Sequence, residues 1–176
     1  NMLIKDTMVL SKNAKMSSED SSKVLTATLN GFQLAADQAS HVNDILSSID
    51  LSSSVDAEGI GTALTKTASM AHNAGLSLEK TAASIATIKE VTQDSDESIG
   101  TSFKSLLSRM NQIKAGKFID AETGEALNDT EKVLKEVGIN MRDVNGQFLD
   151  AETILDDVGK NAKSNCHING WRVSIQ

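Results

Sequence analysis

Apolar residues recur at helical spacing through most of this chain, and this spacing limits the folds open to it more than any other feature. The clearest case is SDESIGTSFKSLLSRMNQIKAG (95–116), whose apolar side chains fall on one face of a helix. They are Ile99, Phe103, Leu106, Leu107, Met110 and Ile113. Ser95 is placed to cap the start of this helix and Gly116 to end it. The segment therefore predicts an amphipathic helix.

The same pattern recurs in four upstream segments. The predicted apolar faces are Val24, Leu25, Thr28, Leu29 and Phe32; Ala39, Val42, Ile45, Leu46 and Ile49; Ile60, Leu64, Thr67, Ala68 and Ala71; and Leu78, Ile85, Ile88 and Val91. Asp56 and Ser77 are predicted caps, and Gly75 is a predicted stop between the last two helices. The connections are short, so consecutive helices are expected to pack as antiparallel neighbours.

Composition agrees with a mainly α fold. The chain of 176 residues contains no Pro and no Tyr, and only 3% of its residues are aromatic. Many of the 39% hydrophobic residues are Ala, which lets helix backbones come close, and no Pro interrupts a helix. We therefore expect an antiparallel helical core of about five or six helices before Gly116.

The pattern changes after Gly116, where two turn signals predict short β-hairpin-like turns. One is Thr123-Gly124, and the stronger is Asn145-Gly146, a pair typical of type I′ hairpin turns. Phe148, with Ile139 or Met141, is expected to face the helices. A short helix capped by Asp129 or Thr130 should lie between the turns, and a second, capped by Asp150, should follow them.

Acidic residues concentrate in the same region, at Asp143, Asp150, Glu152, Asp156 and Asp157. Counting back from Gly124 or Gly146 places Ile119 or Met141 at the first position of a calcium loop, where neither can act as a ligand. Asp156 and Asp157 are adjacent and do not share a helix face. Glu122 and Asp143 would serve as an acid/base pair only if the hairpins pack suitably. The preferred interpretation is that these acids form turns and caps.

The remaining chemically active side chains form no recognised motif. They are His41, His72, His167 and the single cysteine, Cys166. The sequence contains no HExxH, CxxC, GxSxG or P-loop pattern. We therefore predict no catalytic, cofactor-binding or metal-binding residues and no cofactor, which describes a protein that is not an enzyme.

Charge and hydropathy exclude several partner classes. The formal net charge of −7 argues against specific nucleic-acid binding, which requires a basic face. No apolar run reaches the length of a membrane span, and the polar helix faces carry Ser and Thr rather than the Lys and Arg of membrane-surface helices. The start at Asn1-Met2, without a signal peptide, is expected for a piece of a longer protein.

Four pieces, taken in order, resemble the core region of bacteriophage tail tape measure proteins. They are HVNDIL, AEGIGTALTKTASMAHNAGLSLEKTAASIATI, SIGTSFKSLLSRM and LKEVGINMRDVNGQFLDAETILDDV. The resemblance covers about residues 20–160. The last piece is similar to the GIxxxDxxGxF ending of that core, carried here by Gly138, Ile139, Asp143, Gly146 and Phe148.

The resemblance implies a structural segment of a phage or prophage tail. Such proteins occupy the lumen of the tail tube, set tail length during assembly and leave ahead of the DNA at infection. The implied partners are other copies of the chain, the tail tube protein, tail assembly chaperones and tail tip proteins. Membrane contact is implied for the full-length protein only. The implied locations are the tail lumen of the virion and the host cytoplasm during assembly.

The predicted organisation has four parts: a helical lead-in of a longer chain (1–19), the helical core (20–116), a hairpin-containing closing region (117–163), and an irregular or non-native tail (164–176) that departs from the family pattern. Long coiled-coil flanks are absent, so this piece alone would not determine length. Two alternatives stay open. One is the ruler of a phage-tail-like bacteriocin or injection system, and the other is a cell-wall hydrolase domain using the acidic C-terminal region.

Overall fold

The computed structural model describes residues 2–52, 55–115, 127–136 and 138–168. These residues form eight α-helices and one short 3₁₀ turn, and contain no β-strand. The helices are α1 (Met2–Asn13), α2 (Ser18–Gly31), α3 (Ala39–Ser52), α4 (Ala57–Ala74), α5 (Leu78–Thr92), α6 (Asp96–Lys114), α7 (Leu127–Glu136) and α8 (Ala151–Ile168). The 3₁₀ turn, Ala36–Gln38, precedes α3.

The chain divides into two compact units, Asn1–Ser108 and Arg109–Gln176, and the division falls within α6. The first unit contains α1 to α5 and most of α6. Six helices therefore precede residue 116, in agreement with the predicted five or six. The predicted domain limits at 20, 117 and 164 stay predictions, although α8 continues as helix past residue 164 to Ile168.

Side-chain caps explain why several helices begin where they do. Asp56 Oδ1 accepts a hydrogen bond from the Gly59 amide at 2.6 Å at the start of α4, and Ser77 Oγ accepts one from the Lys80 amide at 3.1 Å at the start of α5. Ser95 Oγ accepts from the Ser98 amide at 3.3 Å. The three predicted caps are confirmed. They satisfy amide groups that have no partner in the first turn of a helix.

Gly75 ends α4 as predicted. Its φ is +84°, a conformation that costs glycine little because it has no Cβ. Its amide donates to the His72 carbonyl at 3.0 Å, and the next amide, of Leu76, donates to the Ala71 carbonyl at 3.0 Å. This pair of bonds is the Schellman arrangement that closes a helix. The other predicted stop, Gly116, lies outside the described residues.

The core of the first unit is built on the contact between α2 and α4, the most extensive helix pair in it. Small residues bring the two backbones together. A Cβ added to Gly31 of α2 would collide with the Cβ of Ala68 and lie 2.9 Å from the amide nitrogen of Ser69. A Cβ added to Gly61 of α4 would lie 2.9 Å from Val24 Cγ1. The prediction that consecutive helices pack together therefore missed this principal pair, which is not consecutive.

The predicted apolar faces of α2 and α4 are confirmed, because every residue named for them is buried. In α5 the face is different: Val91 is 79% exposed, and Thr81, Ala82 and Ala86 are buried beside Leu78 and Ile85. In α6 the named residues are buried except Leu106, which is 44% exposed. In both helices the face that packs against the rest of the unit is narrower than the apolar stripe. The apolar residues at the edge of the stripe therefore stay exposed to solvent.

Polar contacts join α1 to α3. Asn43 Nδ2 donates to the Asp6 carbonyl at 3.0 Å, and both residues are buried. At the rim, Asn13 Nδ2 donates to Ser47 Oγ at 3.4 Å. A buried amide that is hydrogen-bonded across two helices fixes their register, because sliding would leave it unpaired.

Replacing Gly31 with Ala should destabilise the chain by about 1–3 kcal/mol, because the new Cβ meets backbone atoms of α4 that cannot rotate away. The matched control is Gly159→Ala in α8. A Cβ there meets no atom within 4 Å, so helix propensity alone acts and adds up to about 1 kcal/mol. Thermal denaturation followed by circular dichroism measures both. Equal stability of the two variants would contradict the close α2–α4 contact.

Candidate functional site

The acidic turn after α7 is the strongest candidate site, and Asp143 organises it. Asp143 Oδ1 accepts hydrogen bonds from the amides of Asn145 and Gln147, each at 2.8 Å. The Asp143 amide donates to the Gln147 carbonyl at 2.8 Å, and its carbonyl accepts from the Gly146 amide at 3.0 Å. One oxygen of the Asp143 carboxylate therefore already accepts hydrogen bonds from the backbone of the turn, as in Asx turns.

The expected β-hairpin with a type I′ turn at Asn145-Gly146 is not formed. No strands flank the turn in the described residues, and one isolated antiparallel bridge joins Arg142 and Phe148. The bond from the Gly146 amide to the Asp143 carbonyl makes Val144 and Asn145 the central residues. Only Gly146, with φ +77°, takes the left-handed conformation. The bonds to the Asp143 carboxylate favour this turn, with Gly146 as the bulge residue that follows it.

Arg142 connects the turn to α7. Its Nε donates to Glu131 Oε1 at 2.7 Å, and its Nη1 donates to the Gly146 carbonyl at 3.2 Å. Its guanidinium carbon lies 5.8 Å from the centre of the Phe148 ring, within the range of a cation–π contact. Phe148 is therefore half-buried under Arg142, whereas Ile139 and Met141 are buried as expected. The Arg142 guanidinium is thus engaged by a carboxylate, a carbonyl and a ring.

Asp150 caps α8, as predicted. Its Oδ1 accepts from the Thr153 amide at 2.8 Å, and its Oδ2 accepts from the Thr153 hydroxyl at 2.9 Å. The hydrogen bond from the Thr153 amide, followed by that from its hydroxyl, lowers the pKa of Asp150 below its usual value. The caps expected for the preceding helix are wrong, because α7 begins at Leu127 and so contains Asp129 and Thr130.

The remaining candidate groups are not brought together in the described residues. His41 Nε2 lies 2.8 Å from Glu79 Oε1 on the exposed side of α3 and α5. Hydrogen bonding by its own backbone amide, with a further contribution from His41, lowers the pKa of Glu79. His72 contacts the Phe32 ring edge-on at 6.3 Å between centres. Glu122 and the side chains of Cys166 and His167 lie outside the described residues.

Two features are absent from the part of the chain that the structure describes. No group of three or more His, Cys, Asp or Glu side chains is placed there to hold a metal ion. None of the helices there is long and apolar enough to cross a membrane.

Sequence reasoning missed one polar cluster, which joins α4, α5 and α6. Lys89 Nζ forms an ion pair with Asp96 Oδ1, and the side chains are 21% and 31% exposed. The pair lies directly over Gly59, where an added Cβ would collide with Lys89 Nζ and lie 2.6 Å from Asp96 Oδ1. The glycine at position 59 therefore provides the space that the ion pair occupies. The only sequence signal was a Gly in the first turn of an otherwise strong helix.

The sequence model of the family described as "Phage-related minor tail protein" matches residues 1–165. This chain belongs to the phage-related minor tail protein family. No solved structure matches it.

Two curated relatives of this phage tail chain carry related names. The "Probable tape measure protein" of Escherichia phage P2 is 31% identical over 147 residues, which is 84% of this chain and 16% of that protein. The "Tape measure protein" of Pneumococcus phage Dp-1 is 30% identical over 129 residues, which is 73% of this chain and 10% of that protein. The chain therefore spans less than a fifth of either relative, and the matched region is a small part of a long protein.

The lowered pKa of Asp150 predicts an acid-dependent loss of stability. Because the folded pKa is below the unfolded value of about 3.9, the stabilisation is present above that value and is lost as pH falls through the folded pKa. Replacing Asp150 with Ala should cost about 1 kcal/mol near neutral pH. Asp150→Asn is the matched control, since Asn still caps a helix but does not titrate. The difference in melting temperature between wild type and Asp150→Asn should shrink between about pH 7 and about pH 3; a difference independent of pH would contradict the cap.

Proposed function

We propose that this chain is the helical core segment of a tape measure protein of a phage or prophage tail. In this proposal the parent protein occupies the lumen of the tail tube, sets tail length during assembly and leaves ahead of the DNA at infection. The observation that carries the proposal is the match of most of the chain to two proteins named tape measure proteins, together with the family membership.

The helical architecture supports a ruler on physical grounds. An α-helix advances about 1.5 Å per residue, so residue number converts directly into length. The absence of Pro from the whole chain fits this use, because Pro would kink a helix and shorten its projection. Because this chain is a small part of its relatives, length determination belongs to the parent protein, and this segment contributes only its own share.

The proposed partners are other copies of the chain, the tail tube protein, tail assembly chaperones and tail tip proteins. The proposed locations are the virion tail lumen and the host cytoplasm during assembly. The net charge of −7 supports assembly with proteins, because specific nucleic-acid binding requires a basic surface.

We further propose that the chain has no catalytic activity of its own. Two of the carboxylates singled out in the sequence already have structural partners, because Asp143 holds the turn and Asp150 caps α8. Glu131, in α7, pairs with Arg142. A general acid or base must be free to exchange a proton with a substrate.

Location in the lumen can be tested with an epitope tag inserted after Val144, which is fully exposed at the tip of the turn. Tagged phage should not bind the antibody while tails are intact, and should release the tagged protein when DNA ejection is triggered. The same tag on an outer tail protein is the control and should bind in both states. Antibody binding to intact tails along their outer surface would contradict the proposal.

Length determination can be tested in the parent gene. An in-frame insertion of roughly 20 helix-forming residues should lengthen the tail by about 30 Å in electron micrographs, because each residue adds one helical rise. Replacement of a segment by a different helical sequence of equal length is the matched control and should leave tail length unchanged. Tails of unaltered length in the insertion mutant would overturn the ruler function.

A further inference from the structure

Asn145 is followed by a glycine and lies in an exposed turn. Residues 143–147 are all exposed, and within the part of the chain that the structure describes the Asn145 side chain has no hydrogen-bond partner. A Cβ placed on Gly146 would meet no atom within 4 Å, so nothing crowds that side of the turn. The backbone nitrogen of Gly146 is therefore not shielded from the neighbouring side chain by any bulky group.

An asparagine followed by glycine can react with its own backbone, because no side chain on the glycine obstructs the approach. Asparagine is among the residues that are chemically labile in proteins. The Gly146 nitrogen, once it has lost its proton to a base in solvent, forms a bond to Asn145 Cγ. The Cγ–Nδ2 bond breaks, and ammonia leaves after taking a proton from water, so that a cyclic imide remains.

Water then opens the imide. It adds to either of the two ring carbonyls that come from residue 145, its hydroxyl stays on that carbon, and its proton goes to the ring nitrogen as the C–N bond breaks. The products are aspartate or isoaspartate at position 145. The net reaction consumes water and releases ammonia, and it needs no other reactant.

The Asp143 turn holds the proton that this reaction must remove. The Gly146 amide donates to the Asp143 carbonyl at 3.0 Å, and the Gly146 carbonyl accepts from Arg142 Nη1 at 3.2 Å. The amides of Asn145 and Gln147 both donate to Asp143 Oδ1 at 2.8 Å. Ring closure therefore requires the turn to open first. Exposed turns open locally at a small cost in free energy, so the open form is accessible.

The other described Asn-Gly pair, Asn30-Gly31, lies in a different environment. Asn30 is also exposed, but Gly31 is the last residue of α2, and a Cβ added there would collide with Ala68. Opening the backbone at this pair would disrupt the contact between α2 and α4. The third Asn-Gly pair, at 169–170, lies outside the described residues. The two described pairs have the same sequence and differ in structure, so each serves as the reference for the other.

We propose that Asn145 is a modification site, at which deamidation through a cyclic imide proceeds whenever the Asp143 turn opens. Isoaspartate lengthens the backbone at a residue whose amide binds Asp143 Oδ1, so the modified turn cannot restore its bonds. Aspartate at position 145 places a second carboxylate beside Asp143. Both products weaken the connection between α7 and α8. The inference is independent of the proposed function, because it needs only the turn and water.

Incubation of the purified chain in mildly alkaline buffer, followed by digestion and tandem mass spectrometry, measures each pair separately. Buffer made with heavy-oxygen water labels the new carboxylate, so that any reaction during digestion is not counted. In the folded chain the products should accumulate at Asn145 and not at Asn30. In guanidinium chloride, where neither pair is held, the two should react at similar rates.

Variants at position 143 test the control by the turn. Asp143→Ala removes the acceptor of two amides and should raise the rate at Asn145 about fivefold, the change in open population expected when roughly one net hydrogen bond is lost. Asp143→Asn is the matched control, because it keeps an acceptor oxygen and loses only the charge. Its rate at Asn145 should stay near that of wild type. Arg142→Gln, which removes the bond to the Gly146 carbonyl, should raise the rate and serves in place of Asp143→Ala if that variant loses helical circular dichroism.

Four results would each overturn the proposal. They are an Asn145 that stays intact in the folded chain, equal rates at Asn30 and Asn145 in the folded chain, a wild-type rate in the folded variants Asp143→Ala and Arg142→Gln, and a rate in Asp143→Asn as high as that in Asp143→Ala. The last result would mean that the charge of Asp143, and not its hydrogen bonds, controls the reaction.

Discussion

The close approach of α2 and α4 is the contact on which the first unit depends. It exists because Gly31 and Gly61 have no side chains where the two helices meet Ala68 and Val24. A chain with 3% aromatic residues cannot fill wide gaps between helices, so its stability must come from short distances between backbones. Alanine and glycine supply these distances, and α4 then also packs against α3 and α5. The low aromatic content and the close contact between small residues therefore go together, because helices that approach closely need no large side chains between them.

Polar groups in this protein stabilise connections between helices. Asp143 supplies one carboxylate oxygen to two amides of its turn, Asp150 caps α8, and Lys89–Asp96 bridges the α5–α6 joint. Each compensates for backbone or charged groups that would otherwise lack a partner where a helix ends. This use of acids fits a tail structural protein. The acidic residues that concentrate near Asp143 and Asp150 therefore indicate a turn and a helix cap.

The joints between helices differ in how firmly they end each helix. A glycine-closed joint, such as the one at Gly75, stops the helix by its own conformation. The connection at Gln93 is held by contacts made elsewhere, which include the Lys89–Asp96 pair over Gly59 and the close approach of Gly100 to the Ala63 backbone of α4.

The sequence by itself determined the helices, the caps and stop at Asp56, Gly75, Ser77, Ser95 and Asp150, and the buried faces of α2 and α4, because these depend on spacing and on hydrogen bonds within a few residues. It did not determine the type of turn at Asn145-Gly146, since the Asp143 carboxylate selects the central residues. Only the tertiary structure decided the pairing of α2 with α4, the exposure of Val91 and Leu106, and the ion pair over Gly59. These features depend on which distant surfaces meet, and a local pattern carries no information about distance in space.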